Sequence, residues 1–543
     1  MSGGQAATGG LVLRRALVRT MTRAAPVAAA LAVRDGHIVA LGSEADVLAA
    51  AGEDCATVDL GGRVVLPGFT DAHVHWCTHA LMRRQLALEP AMSLADVLRV
   101  VRVEAARTPA GQWIVGRGWD HADWAGWPTA ADLDASAPHH RVALTRVDGH
   151  VVWLNSAALA AAGVGPHTPD PPGGEIVRHA GQPTGVLKEN ALRLVTEAVP
   201  EPEPAERQAA MVDAWTDAWS LGITGCHDMG FRDTALFRDL STLREAGDLG
   251  LRFVWYFPRS MLDEAIGLGL SSGLGDEWLR LGGLKLFLDG TLGSQSADML
   301  EPYEGQPDNM GIATLEPEEL TALVTRAAAA GIASAMHAIG DAANRKALDA
   351  LAALGADRSP LRHRIEHAQL LHPEDVARFA RQDVVASMQP IHATSDMALA
   401  DRWWGDRAAG AYAWRSLRDS GARLAFGSDA PIEPLHVFAG VHAAVTRCAA
   451  GGDPPGGWRP EQRLTVLEAL EAYTLGPAVA GGQEHILGTL AVGKAADLIV
   501  LDGDPVTMAP ALLAHVRVRA TMIEGVWVWQ APDVDFGGPR HTT

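Results

Sequence analysis

The feature that most constrains this 543-residue chain is a series of short apolar runs separated, over most of the chain, by helix-like stretches. They fall at 64–75, 223–228, 251–257, 284–288, 332–337, 363–367, 384–388 and 423–426. Strands that alternate with helices imply parallel βα units, and eight of them predict an α/β fold of the closed (β/α)8, or TIM-barrel, type. The interval between the first and second runs is too long for one helix. Residues 78–205 therefore read as an insertion after the first barrel strand, carrying Trp113, Trp119, Trp124, Trp127 and Trp153. Both ends of the chain read differently, as short strands with Gly and Asp turns. They predict one composite β-sandwich domain, over 1–66 and 480–543, around a barrel over 67–479.

Composition removes several alternatives. Lys and Arg number 45 against 65 Asp and Glu, a net charge of −20. With no basic run to neutralise phosphates, a nucleic-acid partner is not expected. No apolar run reaches the roughly 18–20 residues of a membrane span. The segment 24–33 has the small apolar character of a signal peptide, but strands at 11–18, 30–33 and 38–41 around Asp35-Gly36 account for it better. The four cysteines, Cys55, Cys77, Cys226 and Cys448, are far apart and form no C-x-x-C pair. Reduced thiols and a cytoplasmic location are the expectation.

In an α/β barrel the active site lies at the C-terminal ends of the strands, so titratable residues that close an apolar run carry information. The first run closes with Asp71-Ala-His73-Val-His75, whose two histidines share one face because a strand repeats every two residues. Other runs contribute Lys285, His337, His367 and Asp429. A lone histidine at a strand end is more often a hydrogen-bonded core residue than a ligand. Four imidazoles, an amine and a carboxylate at one barrel mouth are not explained by packing, because buried polar groups need partners. Lys285 either snorkels to solvent or pairs with Asp289 or, its pKa depressed by a nearby cation, reacts with carbon dioxide to give a carbamate able to bridge two metals.

These residues, in this order, resemble the amidohydrolase superfamily with a binuclear metal centre. The resemblance is carried by Pro67-Gly-Phe-Thr-Asp-Ala-His-Val-His75, Lys285, His337, His367, Asp429 and the C-terminal Leu487-Gly-Thr-Leu-Ala-Val-Gly-Lys-Ala-Ala-Asp-Leu-Ile-Val-Leu501. Gly118-Trp-Asp-His121, Asp148-Gly-His150, Asn155-Ser-Ala-Ala-Leu159, Pro172-Gly-Gly-Glu-Ile-Val177 and Leu288-Asp-Gly-Thr-Leu-Gly-Ser294 are similar to the amidohydrolase-3 branch, which includes N-substituted formamide deformylases. The resemblance implies two divalent metals, zinc before iron, manganese or cobalt. His73 and His75 would hold the more buried one, His337 and His367 the more exposed one, and carboxylated Lys285 both. Asp429 would act on the hydroxide between them. It also implies a small-molecule substrate and is compatible with a homodimer.

Trp76, Trp119, His150, Asp289, Gln389 and His392 are candidate substrate contacts, and the inserted segment is a candidate lid or pocket wall. An aromatic pocket beside the metals would suit an N-substituted formamide or another small N-acyl amine with a hydrophobic substituent. Cyclic amides, carbamates and esters are the alternative substrates, and an inactive scaffold of the same fold the alternative class. Gly269-Leu-Ser-Ser-Gly273 lacks the preceding strand of a nucleophile elbow. Gly488 to Lys494 resembles a phosphate loop but has Ala495 where Ser or Thr is required. Cys226 and His227, adjacent on a strand, point to opposite faces and cannot form a dyad.

Overall fold

The computed structural model describes residues 10–52, 54–147, 149–230, 234–355 and 361–537; Asp148 of the quoted insertion motif lies outside them. The chain divides into two compact units, one made from its two outer segments and one spanning His79–Ala210. The first unit contains eight parallel strands: β1 (Phe69–Val74), β2 (Ile223–Met229), β3 (Arg252–Pro258), β4 (Leu279–Phe287), β5 (Ala333–Ala338), β6 (Arg364–His367), β7 (Val385–Met388) and β8 (Arg423–Phe426), each paired with its neighbour in sequence order. Every residue of β2 and β3 is buried. That is why these runs lack the polar–apolar alternation of a sheet with one wet face.

Closure of the barrel occurs just beyond the strands. The Asp429 amide donates to the His73 carbonyl at 2.7 Å and the His75 amide to the Ala430 carbonyl at 2.9 Å. The Asp71 carboxylate accepts from the amides of Ser428 and His73. A Cβ at Gly427 would lie 2.4 Å from the His73 nitrogen, so only glycine allows this approach. The stitching that joins the first and last strands thus also fixes His73, His75 and Asp429.

Two further sheets belong to the same unit. One contains His37–Gly42, Ala30–Arg34, Leu11–Arg14 and Ala56–Asp59. The other joins the C-terminal strands Val526–Gln530, Val518–Ile523 and Leu498–Leu501 to Val64–Pro67, Leu17–Arg19 and Val27–Ala28. Leu13, Leu31, Val65, Leu498, Met522 and Trp527 share one core, which makes the sandwich a composite of both termini. The run at 64–75 is therefore two strands in different sheets. Gly68 separates them, where a Cβ would collide with the Thr224 side chain at 2.4 Å, and Pro67 still pairs with Leu498. The run at 11–18 divides in the same way at Arg15, whose φ is +50°.

The unit over His79–Ala210 has its own six-stranded sheet, in the order Gly174–His179, Gln182–Glu189, Val151–Leu154, Arg141–Arg146, Trp113–Trp119 and Leu86–Ala87. Trp119 and Trp153 are fully buried in its core with Val97, Leu133 and Leu144. The Trp119 Nε1–H donates to the Leu144 carbonyl, and its ring stacks on Trp124 at 5.6 Å. Cys55, Cys77, Cys226 and Cys448 are all free thiols, and among the described residues no helix is long and apolar enough to cross a membrane.

At the opposite end of β3 from the barrel mouth, Arg252 forks onto Asp497 at 2.6 and 3.1 Å and also reaches Glu524, joining barrel to sandwich through a pair of which 2% and 5% remain exposed. Removing one partner leaves the other charge buried and unpaired, at a cost of about 3–5 kcal/mol. Asp497→Ala should lower unfolding stability by that amount in urea titrations, and Asp497→Asn, which keeps an acceptor, by less.

Candidate metal centre

The site grows out of the closure of the barrel. His73, at the end of β1, and His75, just past it, place their Nε2 atoms 3.5 and 3.3 Å from the same oxygen, Asp429 Oδ1. The His367 ring, at the end of β6, lies 4.8 Å from that of His73 and 4.6 Å from that of His337 on β5. His73, His367 and Asp429 offer ligand atoms within 4.8 Å of one another. His367 and Asp429 both have left-handed backbones, with φ of +70° and +60°. Such conformations cost of order 1–3 kcal/mol and cluster at functional sites.

Hydrogen bonds assign the imidazole nitrogens. His73 Nδ1–H donates to Glu366 Oε2 at 2.6 Å, and His367 Nδ1–H to Gln389 Oε1 at 2.8 Å, which leaves each Nε2 lone pair for a cation. His337 uses Nε2 instead, donating to the Gly290 carbonyl at 3.1 Å with Asp289 Oδ1 at 3.4 Å, so Nδ1 is its free lone pair. Burial keeps these rings neutral: it lowers His73 to about 4 and His337 to about 3, with the Lys285 charge adding to the effect, and lowers His367 as well. Burial alone would raise Asp429, whereas the hydrogen bond from His75 and any positive charge at His73, His367 or His392 lower its carboxyl well below the usual range.

Lys285 is 1% exposed, and its Nζ lies 4.8 Å from the centre of the Phe287 ring, with no hydrogen-bond partner among the described residues. Burial lowers it to about 8 against the opposing charges of Glu366 and Asp429. Asp289 is not its partner. That carboxylate accepts from the amides of Asp298, Ile339 and Gly340, and burial raises it to about 7. Neutral imidazoles and an ionised carboxylate, with ligand atoms of His73, His367 and Asp429 within 4.8 Å of one another, are a donor set that fits a divalent cation, and the buried Lys285 amine beside them lacks a partner among the described residues.

The remaining candidates divide. His392 stacks on His367 with ring centres 5.9 Å apart, and its Nε2 stands 3.6 Å from Asp429 Oδ2. Trp76 does not face the mouth. It is fully buried and stacks on Trp215 at 5.0 Å, while its amide donates to Asp228. Trp119 lies in the core of the inserted unit, and His150, exposed on that unit, pairs with Glu189 at 2.9 Å.

Sequence reasoning missed the support beneath the site. Arg364 donates to Glu366, to the Ala72 carbonyl, to Ser387 and to His227 Nδ1, with none of its side chain exposed. The signal was an Arg and a Glu two apart in a strand buried along its whole length, hence on one face.

A sequence profile of the amidohydrolase family matches residues 56–529. The chain belongs to that family. It is similar to the putative amidohydrolase YtcJ of Bacillus subtilis, 33% identical over 92% of this chain and 96% of that protein. It is similar also to the N-substituted formamide deformylase of Arthrobacter pascens, 30% identical over 95% and 97%. An uncharacterised metal-dependent hydrolase of Pyrococcus horikoshii superposes with a TM-score of 0.79 at 27% identity, covering 92% of this chain and 99% of that one. As an amidohydrolase, the protein is a hydrolase acting on carbon–nitrogen bonds, on a TIM-barrel scaffold.

The buried histidines set how the metal-free amidohydrolase responds to acid. Between pH about 6.5 and 4 the unfolded chain protonates imidazoles that His73, His337, His367 and His227 keep neutral in the folded state. Asp71, which burial raises to about 6, Asp289 and Asp341 oppose this by holding protons on folding, but the four imidazoles, joined by His436 and His442, which burial also lowers, outnumber them. The melting temperature of chelator-treated protein should therefore fall as pH drops through that window, and His227→Asn should flatten the decline.

Proposed function

We propose that this amidohydrolase cleaves the amide bond of N-substituted formamides, or of other small N-acyl amines with a hydrophobic substituent. The observation that carries the reading is the convergence of His73, His75, His337, His367 and Lys285 around Asp429, an ionised carboxylate whose oxygens face three imidazoles. The 30% identity to the formamide deformylase, over nearly the whole of both chains, supports the substrate class.

In this reading His73, His75, His337 and His367 hold two divalent metal ions, zinc by the preference of imidazole-rich sites. Those ions supply Lewis acidity, making hydroxide available near neutral pH and polarising the scissile carbonyl. Lys285 would serve as a further ligand once carboxylated: its neutral amine would bond through Nζ to the carbon of carbon dioxide, a C=O π bond becoming the carboxylate and one Nζ proton passing to solvent, which would replace a buried amine by an anionic oxygen donor. Glu366 and Gln389 fix the rings of His73 and His367 through Nδ1. Asp429 accepts a proton at its carboxylate as the carbonyl is attacked, then returns it to the leaving nitrogen. That transfer is needed because an amide anion is a very poor leaving group. The Gln389 amide group, whose Nε2 has no partner among the described residues, and His392 Nε2 are the donors available to the carbonyl oxygen.

Formate release from N-benzylformamide should exceed that from formamide in kcat/KM; a preference for unsubstituted formamide, a cyclic imide or a carbamate would reject the substrate assignment. Asp429→Asn should retain at least one metal per chain while kcat falls by about 10²–10⁴-fold, the usual range for a lost proton-transfer group. Lys285→Ala should lose metal and turnover together, with both restored in part by added short-chain carboxylic acids.

A further inference from the structure

A groove at the mouth of the barrel runs outward from the ends of β3 and β4. It encloses about 660 Å³ and is lined by Pro258, Lys285, Phe287, Leu262, Leu315 and Leu323, with Arg259, Asp263 and Arg326 at its outer rim. That volume falls within the ~300–1,000 Å³ range of small-molecule sites. The groove reaches the candidate metal centre through Lys285, which belongs to both, and the Phe287 ring in its lining lies 5.2 Å from that of His337. Lys285 and Phe287, two apart on β4, share the strand face turned to the mouth. Leu262 comes from the helix Leu262–Gly267, Leu323 from the helix Pro317–Ala329, and Leu315 from the segment between β4 and that helix. The leucines, Pro258 and Phe287 make much of the surface apolar, with Ser260 and Thr314 also in the lining.

The rim charges neutralise one another: Arg259 pairs with Glu319 and Arg326 with Asp263. An anionic or cationic ligand group would have to compete with these pairs, whereas an uncharged hydrocarbon would displace water from the leucines and Phe287 with no ion pair broken. The fully buried rings of Trp76 and Trp119 offer no such surface.

We infer that this groove, resting on the amide-hydrolase reading above, receives the uncharged nitrogen substituent of the substrate, and that Phe287, Leu315 and Leu323 set its size. The Phe287 ring presents a face or edge to an aryl group at the inner end, where a benzyl carbon chain would place the scissile amide beside His337 and Lys285. The volume that remains beyond a phenyl ring packed on Phe287 and Leu323 leaves room for substituents longer than benzyl.

The test compares N-benzylformamide with N-methylformamide as substrates of the metal-loaded protein and two variants. Leu323→Trp should reduce the benzyl-to-methyl ratio of kcat/KM by at least tenfold, through a raised KM for the benzyl compound. Leu323→Ala should shift preference the other way, toward N-(naphthylmethyl)formamide. If both variants keep the wild-type ratios, the groove is not the substituent site, although the amide-hydrolase reading stands. If the wild-type protein hydrolyses none of these formamides, that reading fails, and a crystal structure with N-benzylurea decides the groove independently. A phenyl ring against Phe287 and Leu323 supports it; a ring bound elsewhere, or no binding at millimolar concentration, overturns it.

Discussion

An imidazole serves as a metal ligand only while it is neutral and held in one tautomer, and in this barrel both conditions depend on burial, backed at His73 by one ion pair. Desolvation takes His73 to about 4 and His337 to about 3, so the rings keep their lone pairs far below neutral pH. Desolvation alone would also protonate Glu366, the acceptor that orients His73. Arg364 prevents this: its guanidinium, fully buried beside Glu366, keeps that carboxyl well below its ordinary value against the opposing effect of burial. Arg364 in turn is satisfied by Ala72, Ser387 and His227, which lie on β1, β7 and β2. One arginine thus ties four barrel strands to the orientation of one candidate ligand.

The same economy appears where the barrel closes. Asp71, Ser428, Gly427 and the backbone of His73 and Asp429 join the first and last strands, and the residues making that seam are the ones whose side chains enter the site or flank it. Separating β1 from β8 would disperse His73, His75 and Asp429 at once. The composite sandwich holds the chain on the other side of Gly68, through the pairing of Val64–Pro67 with Leu498–Leu501 and the Arg252–Asp497 pair. Folding and site assembly are consequently one event in this architecture.

The barrel could be read from the sequence because its strands carry short apolar runs and close in residues that packing does not explain. The candidate ligands His73, His75, Lys285, His337, His367 and Asp429 stand out because they lie at or just past the same end of these runs. Other features were hidden for physical reasons. The breaks at Arg15 and Gly68 are set by backbone φ and by contact with Thr224, neither of which shows in a pattern of apolar residues. The ring of Trp76 immediately follows a candidate ligand, yet a neighbouring residue in sequence turns to a different face, here toward Trp215. Tryptophans of the insertion were equally compatible with a pocket wall and with a core; the hydrogen bonds from Trp119 to Leu144 and from Trp153 to Thr129 place these two in the core of their own unit. The alternative pairing of Lys285 with Asp289 does not occur because Asp289 accepts from three backbone amides, a constraint that only the folded loop creates.

The proposed function requires Lys285 and the surrounding imidazoles to take up two cations and one carbamate. Anomalous diffraction from crystals of the protein expressed in zinc-supplemented medium tests it most directly. The account predicts two peaks about 3.5–4 Å apart, the spacing of two-metal sites, flanked by His73 and His75 on one side and His337 and His367 on the other. It also predicts electron density for a carboxylate on Lys285 Nζ between the peaks. A single peak distant from Lys285, or an unmodified Lys285 beside an empty site at saturating zinc, would contradict it.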